Sequence, residues 1–313
     1  MRLLRSIEDL DRLARGKGRV LTIGAFDGLH LGHREILSRA ATVAADRGED
    51  LAVMCFEPTP AEFFSRGEPP ERLTCFRERF ELLRSAGVDE LICLRFAEVN
   101  SLRHTEFIED IVIRRLGAGH IVVGHDFRYG HGRKGTLGTL SSALKSASCG
   151  LTVVDPVVAA GDRVSSTRIR EALVEGRLDA ARSMLGRDYS MSGRVVHGLG
   201  LGKDLGFPTA NVNLKRRRAP VDGIFAVQVD GIGGRKAIDG VASVGSRPTV
   251  GGGKTLLEVY LFDFGSEIYG EYITVRFRRR LRSEEHFSSI DEMKTQMHAD
   301  VEAAKAALAE RIA

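Results

Sequence analysis

Short apolar runs alternate with longer segments of helical spacing over the first part of the chain, from Arg19 to about Leu185. The unbroken apolar runs predict buried strands at Val20 to Ile23, Leu51 to Phe56, Glu90 to Leu94, His120 to Val123 and Leu151 to Val154. Because a helix-like segment follows each run, the pattern predicts βαβ units and a parallel sheet with helices on both faces. Ligands of such sheets bind beyond the carboxyl ends of the strands.

The pattern changes after Gly186, where strands follow one another with glycine-rich turns between them. The predicted strands are Ser190 to His197, Gly223 to Val229, Lys236 to Val244, Leu256 to Phe262 and Tyr272 to Arg279, and helical spacing returns from Ile290 to Arg311. Strands without crossover helices predict an antiparallel barrel or sandwich, with the last helix packed outside it. We therefore predict an α/β domain over residues 1–186 and an all-β domain over 187–313.

Composition narrows the class of protein. The 313 residues are enough for two hydrophobic cores. No signal-peptide pattern and no long apolar run is present, and the four cysteines are dispersed without CxxC, so we expect a cytoplasmic protein with no membrane partner. The net charge of +4 is small for a nucleic-acid binder, although Lys215 to Arg218 and Arg276 to Arg282 are basic. We expect no nucleic-acid partner, and a monomer or weak homo-oligomer.

The segment VLTIGAFDGLHLGH, Val20 to His33, carries the first candidate chemistry. His30 and His33 would share a face of a helix's opening turn, where unpaired backbone N–H groups attract anions. The glycines of the segment would let a triphosphate approach the backbone, and Asp27 would hold the loop or a metal. Isolated histidines at a helix start are more often simple surface residues, but the glycines and the strand-to-helix context favour a phosphate site. A zinc site is disfavoured because the cysteines lack ligand spacing.

The segment GRVVHGLGLGKDLGFPTANV, Gly193 to Val212, is the second candidate site. Its glycines permit close backbone approach, Lys203 adds a cation, and the loop is able to cover phosphates. Thr209 and Asn211 point to the same side of an extended segment and offer hard oxygen ligands for Mg²⁺. The alternative is a glycine-rich hairpin with turn chemistry only.

Glu258 lies in the predicted strand LEVYLFDF, on the same face as Tyr260 and Phe262. A carboxylate among aromatic side chains suggests a barrel lumen or a pocket mouth, where it would act as a base. An exposed strand glutamate beside rim aromatics is the alternative.

The first segment resembles the HxGH motif of the nucleotidyltransferase superfamily, and SSTRIR, Ser165 to Arg170, resembles the partner signature of that superfamily. The resemblance implies attack by a substrate phosphate on the α-phosphorus of ATP, with pyrophosphate leaving. His30 and His33 would then hold the triphosphate. The other implied nucleotide or phosphate contacts are Gly24, Phe26, Asp27, Gly28, Arg163, Ser166, Thr167 and Arg170.

Between these motifs, VVGHDFRYGHGRKG, Val122 to Gly135, resembles the family's loop GxDFxFG, which contacts nucleotide and flavin. The resemblance implies that Asp126 binds the nucleoside and that Phe127 and Tyr129 contact the flavin, although the two aromatic rings would equally suit a core. In FEPTP, Thr59 stands where the family often has histidine, which bears on nucleotide affinity.

The second half resembles riboflavin kinase domains through GFPTAN, DGIFAV, VGSRPT, the glutamate strand and IYG, in this order. The resemblance implies that Thr209 and Asn211 hold metal and nucleotide, that Gly198, Gly200 and Lys203 contact nucleotide, and that Glu258 activates the riboflavin 5′-hydroxyl. Arg282, in LRSEEHF, would bind the phosphate of product FMN. Val250 replaces a common phenylalanine, a small departure.

Both signatures in one chain resemble the prokaryotic bifunctional riboflavin kinase and FAD synthetase family over nearly all residues. The implied fold is a Rossmann-like nucleotidyltransferase domain followed by an antiparallel β-barrel riboflavin kinase domain with a C-terminal helix. The implied substrates are riboflavin, FMN and ATP, with Mg²⁺ as metal and FMN and FAD as products. Two alternatives remain: an enzyme that uses only one site, and a flavin-sensing or RNA-binding protein.

Overall fold

The computed structural model describes residues 1–12, 18–198, 202, 205–216, 218–247 and 254–310. The chain divides into two compact units. The first unit comprises Met1–Pro70 and Arg79–Val164, and the second comprises Glu71–Glu78 and Ser165–Ala313.

The first unit is built on a six-stranded sheet in the order β1-β4-β3-β2-β5-β6, and every neighbouring pair is parallel. The strands are β1 (Arg2–Leu4), β2 (Arg19–Ile23), β3 (Asp50–Glu57), β4 (Glu90–Arg95), β5 (Ala118–Gly124) and β6 (Gly150–Val154), and a hairpin of β7 (Val158–Ala159) and β8 (Asp162–Arg163) follows them.

The helices that accompany the sheet are α1 (Ile7–Asp11), α2 (Leu31–Arg47), α3 (Pro60–Phe63), α4 (Phe76–Ser85), α5 (Phe96–Val99), α6 (His104–Glu106) and α7 (Leu137–Ser146), with a π-helix at Phe107–Arg115 and a 3₁₀ turn at His131–Arg133. α2 ends at Gly48, whose left-handed φ of 63° suits glycine. α4 crosses the division between the units, since Glu78 belongs to the second and Arg79 to the first.

The sheet has a structural end and a candidate functional end. At the amino ends of the strands, the buried side chains of Arg19 and Glu90 form an ion pair of 2.5 Å, and Arg19 also donates to the carbonyl of Leu116. Breaking such a pair would cost about 3–5 kcal/mol because it leaves a buried charge. The strand order reverses between β2 and β5. Open α/β sheets bind ligands at such a point, beyond the carboxyl ends of the strands.

The second unit contains a closed barrel of six antiparallel strands in the order β10-β13-β12-β11-β14-β9. The strands are β9 (Ser190–Val196), β10 (Thr209–Asn213), β11 (Gly223–Asp230), β12 (Ile238–Arg247), β13 (Lys254–Leu261) and β14 (Tyr272–Arg282). Alternate apolar side chains fill the interior, among them Phe225, Val259 and Phe277.

The second unit also contains the helices α8 (Ser166–Val174), α9 (Leu178–Leu185) and α10 (Ile290–Ala309). The small residues Ala304 and Ala307 of α10 pack with Leu308 against Ala226 of β11, which covers one outer face of the barrel. The segment Glu71–Glu78 also belongs to this unit. Its last side chain, Glu78, accepts from the backbone N–H of Ser192 at 2.6 Å and pairs with the buried Arg216.

The predicted parallel sheet, the antiparallel barrel and the terminal helix are confirmed. The prediction omitted β1, which has three residues, and β10, whose polar sequence TANVN lacks an apolar run. The domain boundary near Arg187 stays a prediction.

Candidate active sites

The loop that joins β2 to α2 has an unusual backbone. Phe26 and Leu29 adopt positive φ angles of 49° and 38°, and Gly28 between them has a φ of 81°. Both apolar side chains are buried, which holds the loop in a conformation that residues other than glycine rarely adopt. Such strain concentrates at binding and catalytic sites.

His30 and His33 form a stacked pair at the start of α2. Their ring centroids are 3.6 Å apart with an angle of 14° between the planes, and Nδ1 of His30 accepts from the backbone N–H of His33 at 3.3 Å. His30 is therefore the N-cap of the helix. A Cβ added at Gly32 would lie 3.2 Å from the His30 ring, so the glycine leaves room for the stack.

His33 is electrically neutral near pH 7 in this arrangement. Burial, and secondarily the neighbouring His30, lower the pKa of His33 well below its usual value. Its Nδ1 atom is buried and has no hydrogen-bond partner within the described residues. A buried polar atom at the positive end of a 17-residue helix suits an anionic ligand. Asp27 is also buried, 6% exposed, in the same loop.

Asp126 follows β5 and therefore lies at the same edge of the sheet as the β2–α2 loop. Its carboxylate pairs with Arg163 of β8 at 2.6 Å, and both side chains are about half exposed or more. Partial burial raises the pKa of Asp126, but the hydrogen bond and charge of Arg163 outweigh it and lower that pKa. Two predicted nucleotide contacts are thus brought together.

The two aromatic residues after Asp126 differ in exposure. Their rings stack at 5.5 Å, but Tyr129 is only 6% exposed and belongs to the core, whereas Phe127 is half-buried. The hydroxyl of Tyr129 lies 3.1 Å from that of Thr139. Of the two, Phe127 retains surface for a ligand.

The signature SSTRIR lies at a helix start, as predicted. Ser165 caps α8 by accepting from the backbone N–H of Arg168, and this leaves Ser166 and Thr167 in the first turn. Arg170 donates to the carbonyl of Glu71 at 2.6 Å. These residues belong to the second unit, whereas His30 and His33 belong to the first.

Thr59, the departure in FEPTP, has a structural role. Its hydroxyl accepts from the backbone N–H of Glu62, and the Glu62 carboxylate accepts from the Thr59 N–H at 2.8 Å, which forms a capping box at the start of α3.

In the barrel, strand register builds the second candidate site. Thr209 pairs with Tyr260, and Asn211 pairs with Glu258, between β10 and β13. On the other side of β13, Glu258 pairs with Ser243 of β12. Residues directly opposite each other share a face, so Asn211, Glu258 and Ser243 form one row.

This row faces away from the barrel interior. Ala210 and Val259, the neighbours of Asn211 and Glu258 in their strands, are buried in the core, whereas Asn211 and Glu258 are half-buried. The interpretation of Glu258 as a lumen residue is therefore wrong, because the interior is filled with apolar side chains. No residue that the structure describes forms a hydrogen bond or ion pair with the Glu258 carboxylate.

Two glycines lie so close to the predicted metal ligands Asn211 and Thr209 that no side chain would fit at either position. A Cβ at Gly198 would lie 2.2 Å from Nδ2 of Asn211, and one at Gly202 would lie 2.4 Å from the carbonyl of Phe207 and 3.2 Å from the Thr209 hydroxyl. Gly198 and Gly202 thus lie against the predicted metal ligands Asn211 and Thr209. Gly200 and Lys203, predicted to contact nucleotide, lie outside the described residues, as does Val250.

Arg282 is occupied by a partner of its own. Its guanidinium donates to both carboxylate oxygens of Asp300 in α10, at 2.8 and 2.7 Å. The hydrogen bonds that Arg282 donates to Asp300 raise the pKa of Arg282. A phosphate would have to share this cation with Asp300.

Sequence reasoning missed Ser243, the third residue of the row, and Glu284, which contacts it. The Ser243 hydroxyl donates to the Glu284 carboxylate at 2.9 Å, and a Cβ at Gly245 would lie 2.4 Å from the same carboxylate. Ser243 interrupts the apolar run VASVGS, and this polar position in a strand was the available signal.

Several arginines of the two basic runs take part in ion pairs. Arg216 pairs with Glu78, Arg218 with Glu71, and Arg276 with Asp230, all within the second unit. Their charge is thereby largely balanced locally.

The fold and the matching family models define a class of protein: a two-domain enzyme of ATP-dependent phosphoryl and nucleotidyl transfer. The family model described as FAD synthetase matches residues 13–168, and the model described as riboflavin kinase matches residues 185–308.

Curated relatives name both activities together. The bifunctional riboflavin kinase/FMN adenylyltransferase of Escherichia coli strain K12 is 42% identical over 96% of each chain. The protein of that name from Pseudomonas fluorescens is also 42% identical, over 98% of this chain and 97% of its own. A solved structure from Streptococcus pneumoniae, described as a macrolide-efflux protein, is 31% identical, with a TM-score of 0.84 over 97% of this chain and 99% of its own.

The chain belongs to the bifunctional riboflavin kinase/FMN adenylyltransferase family. It is an enzyme of flavin cofactor biosynthesis with both activities, and this confirms the enzymatic interpretation over the flavin-sensing or RNA-binding one. ATP as cosubstrate and FMN and FAD as products fit the family. Among the described residues, no helix combines the length and apolar character needed to span a bilayer.

Proposed function

We propose that the row on the barrel phosphorylates riboflavin to FMN, and that the β2–α2 loop with its stacked histidines adenylylates FMN to FAD. The observation that carries the assignment of residues is the pairing of Asn211 with Glu258, which sets a predicted metal ligand beside a carboxylate available as base. We assign riboflavin phosphorylation to residues 187–313 and FMN adenylylation to residues 1–186.

In the kinase step, Glu258 takes the proton of the riboflavin 5′-hydroxyl. The 5′-oxygen then bonds to the γ-phosphorus of ATP, the bond from that phosphorus to the β,γ-bridging oxygen breaks, and ADP leaves. Gly198, Gly200 and Lys203 cover the phosphates.

Mg²⁺ fits the residues around this step. Thr209 and Asn211 supply hydroxyl and amide oxygens, and Gly198 and Gly202 keep the adjoining space free of side chains. A bound Mg²⁺ would neutralise charge on the β- and γ-phosphates. Arg282 contacts the phosphate of FMN.

In the adenylylation step, an FMN phosphate oxygen bonds to the α-phosphorus of ATP, and the bond to the α,β-bridging oxygen breaks so that pyrophosphate leaves. His30 and His33 hold the triphosphate at the helix start, with support from Gly24, Phe26, Asp27 and Gly28. Asp126 with Arg163 binds the nucleoside, Phe127, stacked on the buried Tyr129, contacts the flavin, and Ser166, Thr167 and Arg170 bind the departing phosphates. We further propose that the enzyme works in the cytoplasm as a monomer or weak homo-oligomer, without a nucleic-acid or membrane partner.

The experiment that tests the proposal is a time course with riboflavin, ATP and Mg²⁺, in which riboflavin, FMN and FAD are separated by chromatography. We expect FMN to appear before FAD. A parallel reaction that starts from FMN reports adenylylation alone, and addition of a chelator to either reaction tests the need for Mg²⁺. FMN without FAD would restrict this chain to kinase chemistry, and the absence of both products would refute the proposal.

A further inference from the structure

Arg79 is a buried cation that neither proposed step uses. The residue is 1% exposed and lies in α4 of the first unit. Its Nη1 donates to the carbonyl of Ala25 at 3.1 Å, and its Nη2 donates to the Glu57 carboxylate at 2.9 Å. Ala25 follows β2 and Glu57 ends β3, so one guanidinium spans the carboxyl ends of two neighbouring strands.

The Ala25 carbonyl, which accepts from Arg79, lies where the loop leaves the sheet. The preceding residue, Gly24, is still tied to the sheet, because its N–H donates to the carbonyl of Met54 at 3.0 Å. The following residue, Phe26, begins the run of positive φ angles that leads to His30. The orientation of the Ala25 peptide therefore sets the direction in which the strained loop leaves the sheet.

The guanidinium of Arg79 stays charged in this position. Burial opposes it, but the neighbouring Cys55, Glu57 and Cys93 favour the charged form and raise the pKa of Arg79 above its usual value. A planar guanidinium also fixes two acceptors in a defined geometry, which a lysine ammonium does not.

We propose that Arg79 is a positioning residue for FMN adenylylation: it fixes the Ala25 peptide so that the loop presents His30 and His33 to the triphosphate. This inference rests on the proposed assignment of adenylylation to the loop. The residue acts through the backbone and does not touch the substrate.

The test compares Arg79→Met and Arg79→Lys in the full chain, with both activities measured on each preparation. For Arg79→Met we expect the kcat/KM for ATP in adenylylation to fall by about 10²-fold, the loss typical of a misplacement of about 1 Å. The KM for ATP should rise, whereas a smaller folded fraction alone would lower kcat and leave KM unchanged. Arg79→Lys should recover part of the loss because it restores the charge with one of the two contacts.

Two controls make the result decisive. Riboflavin kinase activity of the same preparation should stay within about twofold of the unsubstituted enzyme, and Arg84→Met, which changes an exposed arginine of the same helix paired with Glu81, should alter neither activity. An unchanged KM for ATP in Arg79→Met, or an equal fall of both activities, would overturn the inference. If His30→Ala also leaves adenylylation intact, the assignment of the loop itself fails. If only His30→Ala lowers it, the inference about Arg79 alone fails.

Discussion

The two sites of this chain are built in different ways. The loop site depends on irregular backbone: positive φ angles at Phe26 and Leu29, a histidine N-cap and a stacked imidazole pair. The barrel site depends on regular backbone, because strand register alone brings Asn211 opposite Glu258.

This difference determines what each site tolerates. A regular strand holds a side chain through its ladder of hydrogen bonds, so neighbouring positions are free to vary as long as register is kept. An irregular loop must be held by specific tertiary contacts, such as the buried packing of Phe26 and the hydrogen bond from Arg79 to Ala25. We therefore expect substitutions outside the loop to impair the loop site, whereas the barrel site should be impaired mainly by substitutions of its own residues.

The largest expected effect separates the two sites completely. Glu258→Gln should slow FMN formation from riboflavin by about 10²–10⁴-fold, the range for loss of a general base, and should leave adenylylation of supplied FMN unchanged. His30→Ala should slow adenylylation of supplied FMN and leave FMN formation from riboflavin unchanged. Chromatographic rates from each starting substrate provide the measurement, and a variant that lowers both rates equally would show that the sites do not act separately.

A smaller effect is expected from adding a side chain at Gly198, where the backbone lies close to Asn211 in the barrel site. Gly198→Ala places a methyl group 2.2 Å from the Asn211 amide, so the kinase kcat/KM should fall by about 10²-fold while adenylylation is unaffected. Gly265→Ala is the matched control, since nothing lies within 4 Å of its Cβ position. Gly32→Ala in the loop site meets the His30 ring at 3.2 Å and should weaken adenylylation less. Equal changes of the kinase kcat/KM in Gly198→Ala and Gly265→Ala would contradict the proposal that the close approach of Gly198 to Asn211 serves the kinase step.

The smallest effect concerns pH and stability. Because burial lowers the pKa of His33 in the folded protein, the unfolded chain binds more protons once the pH falls below about 6.5. The free energy of unfolding should therefore be unaffected by this group above that pH and should fall below it, by at most about 1.4 kcal/mol per pH unit.

Urea titrations of the full chain between pH 7.5 and 5.5 measure this dependence. His33→Gln should flatten it, and His286→Gln, at an exposed position of the second unit, should not. A slope that His33→Gln leaves unchanged would show that other groups cause the acid sensitivity.

Much of the fold and the local parts of the sites could be predicted from sequence. Apolar runs identify the central strands, and HLGH places His30 and His33 at a helix start. The outward direction of Glu258 was not predictable, because the face of a strand that points into a barrel depends on its partners. Arg79 could not be recognised either, since its acceptors are 22 and 54 positions away. Tyr129 and Arg282 show the same limit, because burial and the pairing with Asp300 arise only in three dimensions.

The contribution of Glu71–Glu78 to the second unit has a consequence for synthesis on the ribosome. Glu78 emerges early, but its acceptor contacts with Ser192 and Arg216 come 114 and 138 residues later. At about 5–20 residues per second, this carboxylate must wait roughly 6 to 28 s for its partners. During that interval the carboxylate has only the nearby N–H of Cys75 as a partner, and its contacts with the barrel cannot form until Ser192 and Arg216 have left the ribosome.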